Sequence, residues 1–457
     1  MTESDKLNTT LETLVDNDFF EELRHKEYSR LDQNGETYLD FMGGNLYPES
    51  LIAQHYQWLS GHVLGNPHSL SGTSMRSSEH LEESRRAVID FFNAKEYICI
   101  FTANATAALK IIGDSYPFNC DSTYLITQDN HNSVNGIREY CVAKGGMVKY
   151  LRMDPYKLTI DQNDLLRHLK QAKTGNNLLA FPAQSNVSGV KHNLDYIETA
   201  YQNGWDVLLD AAAYVSSSPL DLSVVKPDFV SMSFYKIFGY PTGIGCLLVH
   251  KSKFDKLSKT SFYGGNVNFV SVKTPHYNLS SGYRKFEDGT VDYLGIPVVK
   301  MGLDFIQRIG GTARIKNRIA SIRRHLYESL KSLSHENGQV LITFYGDMNS
   351  DDMGNTMVMN FNYANGDRMP IEWIQEMATK RKISVRTGCF CNPGIDEVIH
   401  RVDEHALEHQ YQDVVEHPET ESFVKKFSRG SVRISFGAAT TSKDLVSFVD
   451  FCKSLLQ

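Results

Sequence analysis

Between residues 97 and 250 the chain alternates two hydrophobic patterns. Short apolar runs at Tyr97–Phe101, Thr123–Ile126, Met147–Leu151, Leu178–Phe181 and Val207–Leu209 have the length and bounding polar turns of buried strands. The intervening segments carry helical spacing, through Ala107, Leu109 and Ile112 and near 162–173 and 193–203; before them, residues 78–94 do the same with Leu81, Ala87, Val88 and Phe91 on one face. Strands alternating with helices predict a mostly parallel, doubly wound α/β sheet, in which ligands bind beyond the carboxyl ends of the strands.

The pattern differs on either side. Residues 1–35 are polar with scattered aromatics such as Phe19, Phe20 and Tyr28, a helical lead-in, followed by a short strand at Thr37–Phe41 and a turn at 42–45. Beyond about residue 300 a long helical region, 298–333, precedes strands at 339–345 and 356–362, a helix at 370–381 and a strand at 383–385. A charged, His-rich stretch at 397–428, expected to be solvated or to form a lid, leads to a strand at 432–436 and a final helix at 442–455. The expected organisation is a lead-in (1–35), a large domain (36–297) and a small α+β domain (298–457).

Composition narrows the class. With 41% hydrophobic and 22% charged residues over 457 positions, the chain is an ordinary globular one. A net charge of −7 gives no reason to expect nucleic acid or an anionic membrane as partner. Nothing approaches the roughly 18 apolar residues that cross a bilayer. The start, Met1–Lys6, is polar and acidic, unlike a signal peptide, and seven cysteines form no disulfide framework, so a reducing cytoplasmic setting is expected.

Chemistry concentrates after the strands. The stretch Val230–Gly245 runs from an apolar strand through Ser233 to Lys236, then through three glycines and a proline to a further strand. An amine fixed in such a turn suits Schiff-base chemistry, because burial lowers an ammonium pKa; a solvated loop lysine is the plainer alternative. Asp210 closes another apolar run, where a protonated pyridine nitrogen would give its carboxylate a partner or where it would cap the next helix. Ala105 and Thr106 sit at a helix start, with amides free for a phosphate, and Ser233 offers a hydroxyl. His131 follows a strand and could stack on a flat ring, and Asn186 could donate to a phenolic oxygen; both also suit local turn bonding. Cys389 and Cys391 could be a metal half-site or redox pair, but no second pair accompanies them and no metal is expected.

The order of these signals resembles the class V aminotransferase family, enzymes of fold type I that use pyridoxal 5'-phosphate. Ser233–Gly243, Asp129–Val134, Phe286–Thr290, Gly430–Gly437 and above all Arg386–Gly394 look like the N-terminal domain of molybdenum cofactor sulfurase. The resemblance implies that Lys236 carries the cofactor, Asp210 meets its ring nitrogen, His131 its face, and Thr106 with Ser233 its phosphate. It implies Arg386 as carboxylate anchor for L-cysteine, Cys391 as the thiol that takes sulfur on a mobile loop, and a homodimer in which Thr290 reaches the partner's phosphate. Alanine would be released and the sulfur passed to an acceptor. Full-length eukaryotic sulfurases continue into a further domain beyond the stretch that ends here at Gln457, so the acceptor stays open. Asn104 stands where the family has glycine; Ala213 and Tyr235 stand where desulfurases often have Gln and His. A C–S lyase, epimerase or aminotransferase of the same fold is the alternative.

Overall fold

The structure, a computed structural model, describes residues 14–171, 174–259, 262–416 and 429–457. The lead-in forms helices Asn17–Glu27 and Ser29–Asn34, and Arg24 ties it to the far end of the chain through Asp444 at 3.0 Å and the Ala439 carbonyl at 2.7 Å. Residues 1–13 of the expected lead-in lie outside the described residues. Strand β1 (Thr37–Tyr38) is shorter than expected.

The alternating region builds a seven-stranded sheet from β2 (Tyr97–Thr102), β3 (Thr123–Thr127), β4 (Met147–Leu151), β5 (Leu178–Pro182), β6 (Asp206–Asp210), β7 (Phe229–Ser233) and β8 (Gly245–His250), in the order β2-β8-β7-β6-β5-β3-β4. Neighbours from β7 to β4 run parallel, whereas β8 is antiparallel to both β7 and β2. Every residue of β3, β5, β6 and β7 is buried, which is why Leu178–Phe181 of β5 and Val207–Leu209 of β6 read as unbroken apolar runs. Because β8 runs the other way, the carboxyl ends of β2, β3, β5, β6 and β7 lie along one edge of the sheet, where a ligand is expected.

A hairpin that the hydrophobic pattern did not signal, β9 (Val267–Val270) and β10 (Tyr277–Leu279), follows. The long helical region is two helices, Pro297–Arg308 and Gly311–Leu330, because Gly310 and Gly311 both adopt positive φ, 101° and 76°. A second, antiparallel sheet has the order β11 (Ile342–Phe344), β12 (Thr356–Phe361), β15 (Ser431–Ser435), β14 (Arg386–Gly388). Just before β14, β13 (Ile383–Ser384) pairs in parallel with β1, so the first strand joins the last third of the chain. The His-rich stretch forms helices Pro393–His400 and Glu404–Glu416, the latter without a buried residue; positions 417–428 lie outside the described residues. Among the described residues no helix is long and apolar enough to cross a membrane.

Candidate active site

The strand ends enclose a cavity of about 350 Å³ lined by Ala105, Thr106, His131, Asn186, Asp210, Ser233 and Lys236, together with Ala213 and Tyr235. Asp210 and Ser231 are register partners on β6 and β7, and Lys236 follows in the short helix Tyr235–Phe238, so carboxylate and amine sit at adjacent strand ends. Burial lowers the Lys236 ammonium pKa from 10.5; Asp210 opposes this, while Arg433 and Arg386 add to it. Asp210 is buried, and its Oδ1 accepts from the Ala212 amide and the Ser231 hydroxyl, both at 3.1 Å. Thus it holds the following turn as well as facing the cavity. Among the described residues nothing donates to its Oδ2.

The phosphate-sized end is built on the helix Ala105–Ser115. Asn104 caps it, Oδ1 accepting from Ala107 N at 2.9 Å, and its φ of −176° is extended backbone that needs no glycine. Ala105 N–H already donates to Ser233 Oγ at 2.8 Å, while the exposed Thr106 N–H has no protein partner among the described residues. Ser133 Oγ bridges Thr106 Oγ1 at 2.7 Å and His131 Nδ1 at 2.9 Å. The Ser133 amide donates to the same Nδ1 at 3.1 Å, which leaves the imidazole proton on Nε2. Burial, aided by Lys236 and opposed by Asp210, lowers the His131 pKa from 6.5 and favours that neutral form.

Cys391 is exposed beside this cavity and acts on the Lys236 ammonium as a neighbouring charge. Its loop, expected to be mobile, is bonded at three points to the residues around it. The Phe390 carbonyl accepts from Asn186 Nδ2 at 2.8 Å, the Cys391 carbonyl from Asn132 N at 2.7 Å, and Asn392 Nδ2 donates to Asp129 Oδ1 at 2.7 Å. Asn186 therefore directs a donor to the loop rather than holding its amide wholly for a ligand. Cys389 is held apart from this chemistry: burial and a bond to Asp396 push its thiol up to about 12.

Arg386 lies at the rim, half-exposed, with Nε 2.8 Å from Asp40 Oδ2. The other oxygen of Asp40 accepts from buried Arg433 at 2.9 Å, and Arg433 also donates to the Asn186 carbonyl at 2.8 Å. One carboxylate thus orders two guanidiniums, one of them bonded to the wall residue Asn186. Thr290 stands apart: it is exposed, is absent from the cavity wall and accepts from Asn66 at 3.3 Å.

The aminotransferase class-V family model matches residues 37–448. The chain belongs to that family. Among relatives of this class V protein, the molybdenum cofactor sulfurase of Solanum lycopersicum is 34% identical over 476 residues, covering 95% of this chain and 57% of that protein. The sulfurase of Homo sapiens is 33% identical over 459 residues, covering 94% and 50%. The chain spans about half the length of these relatives. In structure it is similar to an apo cysteine desulfurase from Thermococcus onnurineus NA1, with a TM-score of 0.80 at 22% identity, covering 95% of this chain and 98% of that one. The cysteine desulfurase CsdA of Escherichia coli superposes at 0.76 with 19% identity, covering 96% and 99%. These likenesses establish fold type I, the mostly parallel fold expected.

Four residues of this class V site were not anticipated from the sequence: Asp40, Asp129, Asn392 and Arg433. Asp129 and Asn392 lie inside the motifs Asp129–Val134 and Arg386–Gly394, without a role assigned to either, and being polar beside His131 and Cys391 was their signal. Arg433 lies inside the motif Gly430–Gly437 but nothing local marks its partner, and Asp40 had no signal, since the two meet across 393 positions of chain.

Proposed function

We propose that this chain is a pyridoxal 5'-phosphate-dependent cysteine desulfurase of the molybdenum cofactor sulfurase type. The cavity's donors fit that cofactor. A carboxylate oxygen of Asp210 lacks a protein donor, the Thr106 amide is open at a helix start, and the neutral His131 ring lines the wall. Lys236 would hold the aldehyde carbon, Asp210 the ring nitrogen, Thr106 and Ser233 the phosphate, and Asn186 its second N–H toward the phenolic oxygen. When bound, the cofactor supplies an electron sink that lets an amino acid's Cα–H bond break.

The chain's own residues do the rest. The Asp40-ordered guanidiniums of Arg386 and Arg433 orient the carboxylate of L-cysteine. Lys236, its amine made available by burial, takes the α-proton and later returns a proton to carbon. The Cys391 thiolate attacks the substrate sulfur and the substrate's Cβ–S bond breaks; the sulfur stays on Cys391 as a persulfide, the electron pair stays with the carbon fragment, and that fragment takes up a proton and leaves as alanine. His131, on the cavity wall, would cover the ring face of the bound cofactor and exclude water from it. One observation carries this reading: Lys236, Asp210, His131 and Asn186 line one cavity, and Asn186 bonds both the Phe390 carbonyl beside Cys391, at 2.8 Å, and Arg433, at 2.8 Å, so base, ring partner, sulfur-accepting loop and anchor meet at one wall.

We further propose a cytoplasmic homodimer that passes its sulfur to a separate acceptor, with large and small domains at 36–297 and 298–457 and residues near 37–45 crossing to the second. Free thiols at all seven cysteines support the reducing compartment. The exposed apolar residues Phe269, Val270 and Val272 of the hairpin, and the exposed Thr290 outside the cavity wall, support a second subunit. The test is product analysis with L-cysteine and dithiothreitol. Equal alanine and sulfide are expected, and Cys391→Ser should keep the cofactor's absorbance yet form no persulfide. Pyruvate with ammonia would instead mark a C–S lyase and overturn the reading.

A further inference from the structure

The Cys391 turn rests on a buried polar cluster that the reaction itself does not use. Phe390 and Cys391 both hold φ of 56°, a left-handed conformation that costs a side-chain-bearing residue roughly 1 kcal/mol and persists only where surroundings impose it. Asn392 supplies much of that imposition. It is fully buried, its backbone N–H closes the turn on the Cys389 carbonyl at 2.9 Å, and its Oδ1 caps the helix Pro393–His400 through Ile395 N. Both hydrogens of its side-chain amide are engaged, by Asp129 Oδ1 at 2.7 Å and Asn186 Oδ1 at 3.0 Å.

Asp129 is the root of the cluster. It is wholly buried, and beyond Asn392 it accepts from Ser185 at 2.8 Å and from His192 Nε2 at 3.1 Å. Burying a carboxylate is costly unless such donors compensate it, and bonds to a carboxylate are roughly twice as strong as neutral ones. Asp129 also lies two positions before His131, so the segment that aims the imidazole and the turn that aims the thiol share one anchor. On the opposite side, Asn132 N holds the Cys391 carbonyl at 2.7 Å.

We infer that Asp129 and Asn392 are positioning residues that fix the Cys391 thiol over the cavity for sulfur transfer. The inference rests on the persulfide reading above. Transfer requires a near-attack approach of thiolate to sulfur, and a misplacement of about 1 Å lowers such a rate by about 100-fold. Asn392→Ser retains a helix-capping oxygen but is too short for Asp129 or Asn186. Asp129→Asn keeps an acceptor for Asn392, and Asp129→Ala removes it.

The cofactor-loaded variants are assayed for alanine formed from L-cysteine, for the absorbance change on adding L-cysteine, and for amide hydrogen exchange in 129–136 and 386–395 without substrate. Asn392→Ser and Asp129→Ala are expected to lower kcat for alanine by about 100-fold with KM little changed. The absorbance response should persist, both segments should exchange faster, and Asp129→Asn should restore most of the rate. Unchanged alanine rates in Asn392→Ser and Asp129→Ala, or unchanged exchange, would overturn the inference. So would loss of the absorbance response in step with the rate, the mark of a general structural role. Should the unaltered protein make no alanine, the desulfurase reading fails, while exchange still reports whether this cluster holds the Cys391 turn.

Discussion

Lys236 illustrates how a site is made from opposed influences on one atom. Desolvation is the largest and releases the proton, Asp210 pulls it back, and Arg433 and Arg386 push it off again. The free amine, not the ammonium, captures an aldehyde. Capture of pyridoxal 5'-phosphate by the cofactor-free protein should therefore quicken as pH rises and level off below pH 10.5, the ordinary lysine value. Arg386→Gln removes a repelling cation, so its plateau should shift to higher pH; stopped-flow absorbance across pH checks both. A profile unmoved by Arg386→Gln would mean that this guanidinium does not act on the amine. Lys236→Ala should lose the borohydride-reducible link entirely.

At the scale of elements, the turn after Lys236 is set by close backbone approach. Gly239 has φ of 82°, and a Cβ there would lie 2.4 Å from the Leu46 carbonyl carbon and Tyr47 nitrogen. That contact seats the 42–47 turn, where Asn45 Nδ2 donates to the Ile237 carbonyl at 2.7 Å, against the lysine helix. Gly239→Ala combines left-handed strain of about 1–2 kcal/mol with a backbone clash, so cofactor affinity and melting temperature should both fall. Asp396 makes an analogous junction between the helix Pro393–His400 and the start of β15, accepting from Arg429 Nε at 2.7 Å and Gly430 N at 2.9 Å. Burial raises its carboxyl pKa, but bonds from His400 and Arg429 outweigh burial and hold it below 3.8. Its stabilisation is thus complete above the unfolded value and is lost as pH falls through the lower folded one. Asp396→Asn should cost about 3 kcal/mol in urea unfolding at neutral pH, the scale for breaking a buried pair, and the deficit should shrink below pH 3.8.

These elements also explain what the sequence could convey. Strands β3, β5 and β6 were legible because burial on both faces leaves their centres, Tyr124–Ile126, Leu178–Phe181 and Val207–Leu209, without a charged interruption. Lys236, Asp210, His131 and Cys391 were legible because each follows a strand within a distinctive local motif. The β9–β10 hairpin was not, being short and largely exposed, and nor was the break at Gly310, inside an otherwise continuous helical pattern. The Asp40–Arg386–Arg433 cluster joins residues 346 and 393 positions apart, and such pairing leaves no periodicity to detect.

For the whole molecule, Thr290 poses the sharpest question. The cavity is complete on one face within a single chain, yet Thr290 stands outside it, exposed and bonded only to Asn66 among the described residues. If it reaches a phosphate, that phosphate belongs to another subunit. Complementation separates the two geometries. Lys236→Ala chains have no amine but an intact Thr290; Thr290→Ala chains have the amine but bind cofactor more weakly, by about tenfold for one lost charge-assisted hydrogen bond. Mixed by unfolding and refolding together, a heterodimer in trans combines Lys236 from one chain with Thr290 from the other and regains one site of full affinity. In cis, every site with Lys236 lacks Thr290 and the weak affinity remains. Titrating cofactor absorbance over the mixture distinguishes them: a tight phase of up to half the Lys236-bearing chains, in proportion to heterodimer formed, supports the shared site, and a single weak phase assigns Thr290 no part in it.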